Sequence, residues 1–154
     1  MIITYQDFID SGMRVSSDIS ESEITTAIST VENFYVKTSL TDEHFIDLCS
    51  QSTTDPNKTL VKGGIMDGKQ YAGLKMAEYH LVYAYLMTEQ QRITRYSTVD
   101  KNSEYSKNTD RDDILEQARV HWDIGMSFLA EVQTYFGIDT THNKTNNLFE
   151  TIVW

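Results

Sequence analysis

Cysteine is almost missing from this chain of 154 residues: Cys49 stands alone, which excludes an internal disulfide and any CxxC metal or redox pair. Its neighbours Phe45, Ile46 and Leu48 favour a small buried apolar residue over a reactive thiol, which needs a lowered pKa. Proline occurs once, as Pro56, and the glycines cluster outside the strongest periodic stretches, so little interrupts a helix. Long apolar runs are missing too. The longest, residues 81–87, has seven residues, whereas a membrane-spanning helix needs about 20. The opening Met1-Ile2-Ile3-Thr4-Tyr5-Gln6-Asp7 has neither the basic region nor the apolar core of a signal peptide. Cations are scarce: 13 Lys and Arg against 23 Asp and Glu leave a net charge of −10, the wrong sign for gripping phosphate through counterion release. This argues against tight nucleic-acid binding. On the wall of a channel the same charge repels a passing polyanion instead of holding it.

What is present suffices for one folded unit, since 40% hydrophobic residues are too many for a disordered chain and the length supports a core without disulfides or metals. The pattern is helical. Ser20-Glu21-Ser22-Glu23 has the S-x-x-E form of a capping box, and behind it Ile24, Ala27, Ile28, Val31 and Tyr35 make one apolar stripe. Thr41-Asp42 opens a shorter helix carrying Phe45, Leu48 and Cys49, and residues 50–58, with Asp55-Pro56-Asn57, read as a loop. The glycine-rich stretch 60–69 reads as a short hairpin or an irregular loop. From Tyr71 the pattern changes: Leu74, Ala77, Leu81, Ala84 and Tyr85 form one stripe while Tyr79, Val82, Tyr83 and Leu86 occupy the other side. A helix apolar nearly all round is buried on several faces.

Residues 102–110 read as a polar connection, with Asp110, Asp112 and Asp113 placing negative charge where the last helix begins. That helix carries the sharpest periodicity in the chain. Leu115, Trp122, Leu129 and Phe136 recur every seven residues, with Ala118, Gly125 and Val132 between them, a seam suited to close helix packing. Gly137 followed by Ile138 is a helix stop. Beyond it the tail 139–154 is polar and ends in Leu148-Phe149-Glu150-Thr151-Ile152-Val153-Trp154. Leu148, Phe149, Ile152, Val153 and Trp154 are the expected partner-binding residues, as a helix face or as an added strand.

No catalytic constellation stands out. Gly63-Gly64-Ile65-Met66-Asp67-Gly68-Lys69-Gln70 matches the glycine and lysine positions of a P-loop, but Gln70 offers no hydroxyl for Mg²⁺ and no alternating β/α pattern surrounds it. His44 with Asp47, and less well Glu78 with His80, have ligand-like spacing, yet polar side chains facing solvent explain them more simply. His121 and His142 lack nearby partners in sequence, and Asp112 with Asp113 reads as helix capping. The expectation is a non-enzyme with no catalytic residue, cofactor or metal.

The segment Ile3-Thr4-Tyr5-Gln6-Asp7-Phe8-Ile9, the capped helix from Ser20 through Tyr35-Val36-Lys37, and Gly63-Gly64 followed by Tyr71-Ala72-Gly73-Leu74-Lys75-Met76-Ala77 and a tyrosine-rich helix come in a recognisable order. Together they resemble the head-to-tail connector, or adaptor, proteins of tailed bacteriophages, particularly the ring proteins of crAss-like phages, over roughly residues 2–137. The resemblance implies a small α-helical subunit, usually twelve copies to a ring; with the chain's own pattern the expected fold is all-α, a small helical bundle with two long helices, a glycine-rich loop or short hairpin, and an extended C-terminal tail that lies outside the resemblance. Such a ring lies in the virion beneath the portal, is made in the host cytoplasm, and lets DNA pass to the tail without binding it specifically. The expected division is a helical connector domain, 1–138, and a partner-docking tail, 139–154. The alternative of another class is a helical protein-binding or regulatory module, dimeric through the Leu115 to Phe136 seam; an enzyme using Lys69 is a third.

Overall fold

The computed structural model describes residues 1–15, 17–89 and 104–141. These residues are mainly α-helical, with one small hairpin among them. Two capping boxes start the first half. In α1 (Tyr5–Asp10) the Thr4 hydroxyl accepts from the Asp7 N–H while the Asp7 carboxylate accepts from the Thr4 N–H. In α2 (Glu21–Val31), Ser20 and Glu23 do the same. Each cap satisfies donors that a helix start leaves free, an effect of about 1 kcal/mol.

The helix begun at Ser20 does not run on evenly through Lys37, as its stripe suggests. Residues Glu32–Val36 form a π-helical turn before α3 (Lys37–Leu40). The wider turn adds one residue, so the core-facing series becomes Val31, Val36, Leu40, each fully buried, while Tyr35 is half-buried. There its ring meets Trp122 edge-on, with centroids 4.8 Å apart. A sharp corner at Thr41, with φ 67°, turns the chain into α4 (Asp42–Ser50). The region read as a loop to residue 58 is shorter than that, because α5 (Asn57–Lys62) begins inside it and buries Leu60 and Val61.

The glycine-rich stretch is a hairpin. Strands β1 (Gly64–Met66) and β2 (Lys69–Tyr71) pair antiparallel, Ile65 opposite Gln70, around Asp67-Gly68. Both turn residues have positive φ, 52° and 76°, the geometry whose twist suits a two-residue hairpin and for which Asp-Gly is a preferred sequence.

Helices α6 (Leu74–Glu89) and α7 (Glu104–Tyr135) pack along each other and carry the centre of the core. In α6, Leu74, Ala77, Leu81, Val82 and Ala84 are fully buried, because α2, α5 and α7 cover different sides of it. The last helix starts earlier than the acidic residues suggest. Glu104 opens it, so most of 102–110 is helical, and Asp110, Asp112 and Asp113 lie within the helix, where their charge does not mark its N-terminus. The physical reason is that no glycine or proline occurs from 102 to 124, and polar residues of moderate propensity extend a helix whose apolar seam is anchored further on. At about 1.5 Å per residue, the 32 residues of α7 span roughly 48 Å.

Candidate functional site

The seam of α7 is occupied within the chain itself. Leu115, Ala118, Trp122, Leu129 and Val132 are buried, Phe136 is half-buried, and a Cβ added at Gly125 would stand 2.7 Å from Leu81 Cγ and 2.9 Å from the Ala77 carbonyl oxygen. Glycine is what lets the two helix backbones approach this closely. Three polar ties fasten the same assembly: Gln133, buried, donates to the Ser39 carbonyl at 2.9 Å; the Ala72 N–H donates to the Glu131 carboxylate at 3.3 Å; and Lys75 on α6 meets Asp7 on α1 at 3.2 Å. The Asp7 carboxyl is held below its ordinary pKa by the Thr4 backbone N–H, with Lys75 assisting.

The titratable groups fall into two places. Beneath the π turn, the amino group of Met1 lies 2.9 Å from the buried Glu32 carboxylate and 3.6 Å from Cys49 Sγ. Partial burial works against the ammonium charge, yet Glu32 raises its pKa. Burial also raises the pKa of the half-buried Cys49 thiol, which therefore lacks the thiolate character of a nucleophile. Glu78 is wholly buried, and neither of its carboxyl oxygens has a hydrogen-bond partner among the described residues. Burial, reinforced by the charge of Glu32, pushes its carboxyl well above the usual range and so favours its neutral form.

The second place is the α6–α7 interface, where His80 and His121 meet with their Nδ1 atoms 2.8 Å apart. Sequence distance hides this pair, since its members lie 41 positions apart. The signal lies in register: once Gly125 is set against Ala77 and Leu81, the antiparallel arrangement carries His121 to His80. Tyr83 and Phe128 pack around the two imidazoles, with ring centroids 4.6 Å from His121 and 5.8 Å from His80 respectively.

The other candidate residues are used structurally. His44 stacks on Phe136 at 4.1 Å, and Asp47 accepts from the buried Asn57 amide at 3.0 Å, so that pair is not assembled as a ligand set. Glu78 and His80 are likewise kept apart in role, one sealed in the core and one at the α6–α7 interface. Among the described residues no group of three or more His, Cys, Asp or Glu is placed to hold a metal ion. Lys69 lies over the Tyr71 ring at 4.9 Å, in a hairpin and not in a strand-to-helix loop, so its lysine is not presented as a P-loop lysine is. Asp112 and Asp113 are exposed on α7. His142 and the tail positions Leu148, Phe149, Ile152, Val153 and Trp154 lie outside the described residues. No helix among the described residues is long and apolar enough to cross a membrane.

Among the exposed large apolar side chains are Phe34 on the π turn at 67%, Ile46 on α4 at 60% and Ile65 on β1 at 72%. Compared with known protein families, with curated proteins and with solved structures, the chain matches none.

Proposed function

We propose that this chain is the repeating subunit of an oligomeric ring that joins the portal of a bacteriophage head to the tail and forms part of the DNA channel. The resemblance over residues 2–137 suggests the class, and a net charge of −10 suits a wall past which a polyanion must slide. The observation that carries the reading is the hairpin. It is a two-stranded sheet whose outer edges have no strand partner among the described residues, and it holds Ile65 in solvent. An unpaired, apolar edge is a template for association with another chain. A closed ring needs head-to-tail contacts between two unlike surfaces, and Ile65 on the hairpin with Ile46 or Phe34 on other elements supplies unlike surfaces.

In this reading the partners are further copies of the chain, twelve being the usual number in such rings, together with the portal protein and tail proteins. The tail 139–154 reaches one of them through Leu148, Phe149, Ile152, Val153 and Trp154. No catalytic role or cofactor is part of the proposal. The dimer alternative is weaker, because the seam it would use is already covered by α6 and its exposure requires opening the core.

Mass spectrometry of purified virions, together with the mass of the purified chain in solution, tests the reading. Abundant presence in particles and assembly into rings are expected. Ile65→Asp should leave the melting temperature nearly unchanged and abolish ring assembly, and removal of residues 148–154 should leave a folded subunit that no longer enters particles. A chain that is absent from virions and stays monomeric at high concentration overturns the proposal.

A further inference from the structure

The contact between His80 and His121 has a specific geometry. Their Nδ1 atoms are 2.8 Å apart, their ring centroids 5.0 Å apart and their planes only 27° apart. The difference between the two distances is about what two ring radii take up, so the rings meet edge to edge with nitrogen facing nitrogen, and their faces do not overlap. At that separation one Nδ1 donates a proton and the other accepts it through its lone pair. A donor on both sides is forbidden.

We propose that His80 and His121 form a one-proton latch between α6 and α7: a single N–H···N bond holds the pair, and protonation of the second imidazole breaks it and loosens the two helices. The pair accepts its first extra proton on an outward Nε2 and keeps the bond. The next proton must enter the accepting Nδ1, which converts the bond into two facing N–H groups on two cations. Among the described residues no acid raises the pKa of either histidine. Positions one helical turn before and after each histidine are uncharged, and the titratable ring packed on the pair is Tyr83, whose phenol burial keeps un-ionised.

Both histidines are held below the ordinary imidazole pKa of about 6.5, His80 by burial and by the charge of His121, and His121 by burial. The sign follows from this depression. The folded chain binds fewer protons here than the unfolded chain, so the stability contributed by the pair is complete above the unfolded value and is lost as pH falls through the folded values. The latch is closed at neutral pH and opens in mild acid.

The experiment is a ¹⁵N imidazole NMR titration of the full chain from pH 8 to 4.5, with resonances assigned through His80→Gln and His121→Gln, alongside melting temperatures of the unaltered chain and His121→Gln across the same range. Glutamine can hydrogen-bond but does not titrate there. The proposal expects two macroscopic steps for the pair separated by more than about one pH unit. It also expects a melting temperature that falls more steeply in acid for the unaltered chain than for the variant. Simultaneous titration of both rings at the ordinary value, or parallel melting curves, overturns it. If neither variant folds, the unaltered chain decides alone: two imidazole steps more than about one pH unit apart support the proposal, and a single common step overturns it.

Discussion

Replacing Gly125 by alanine sets two known effects against each other. In a helix interior alanine is favoured over glycine by about 1 kcal/mol, so on an open face Gly125→Ala should stabilise. Here the new methyl would lie 2.7 and 2.8 Å from Leu81 Cγ and Cδ2 and 2.9 Å from the Ala77 carbonyl oxygen, all inside normal carbon contact distance. Leu81 is fully buried and has nowhere to withdraw, and the carbonyl belongs to the α6 backbone. The helices must therefore separate locally, and overpacking of this kind costs about 1–3 kcal/mol. The upper half of that range, less the propensity gain, leaves a net loss of about 1–2 kcal/mol. For a chain of this size each kcal/mol lowers Tm by roughly 2–4 °C. Urea denaturation and thermal melting measure both quantities. A second arm identifies the cause: Leu81→Ala removes the atoms nearest the new methyl, so the double variant should lose at least about 0.5 kcal/mol less than the two single losses added together. A raised melting temperature in Gly125→Ala, or strict additivity with Leu81→Ala, would show that the close approach of α6 and α7 does not hold this position.

Glu78→Gln removes a buried acid whose folded pKa is raised. The stability associated with its neutral form is present below the unfolded glutamate value and is lost as pH rises through the folded one, so the variant should match the unaltered chain in acid and melt above it by a growing margin as pH rises past the unfolded value; curves that converge at high pH refute this. Thr41 holds φ 67° and ψ 153°, a region that β-branched residues rarely occupy, and its side chain makes no capping bond. Thr41→Gly should therefore raise stability by about 1 kcal/mol in chemical denaturation, and a loss would contradict the strain. Lys69→Ala should cost less than about 1 kcal/mol, the value of an exposed cation–π contact, and ATP should shift the melting temperature of neither protein. A nucleotide-dependent shift that the variant abolishes would restore the P-loop reading.

Local signals in the sequence led directly to local structure. The Ser20 box is a helix start because its two side chains satisfy each other's backbone, and Asp67-Gly68 is compatible with a tight hairpin because both residues tolerate positive φ. The all-round apolar character of α6 likewise reports burial from several sides. The misplaced boundaries have physical causes of another kind. The acidic run at 110–113 has the chemistry of a helix start, but the helix continues past it for lack of any breaker. The π turn is invisible to a strict 3.6-residue stripe because Tyr35 satisfies that stripe by type, and only its contact with Trp122 shows that it lies beside the core series. Long-range pairs were the least legible. Nothing near His80 announces His121, and nothing near Glu78 announces the sealed surroundings that raise its pKa.

The backbones of Gly63 and Gly73 touch: a Cβ on either would collide with main-chain atoms at the other end of the hairpin, the Ala72 carbonyl oxygen in one case and the Gly63 nitrogen in the other. The chain thus leaves α5 and enters α6 at nearly one point, and everything between is a closed excursion. Such a segment behaves as a cassette. Its length and the residues at its tip can be exchanged while α5 and α6 keep their places, provided the two glycines at the clasp are retained. Substitution at the clasp is transmitted to both helices, whereas substitution at the exposed Ile65 changes the surface and leaves the helices in place. Surface and folding are therefore written in separate stretches of this part of the chain, and one can be redesigned without rewriting the other.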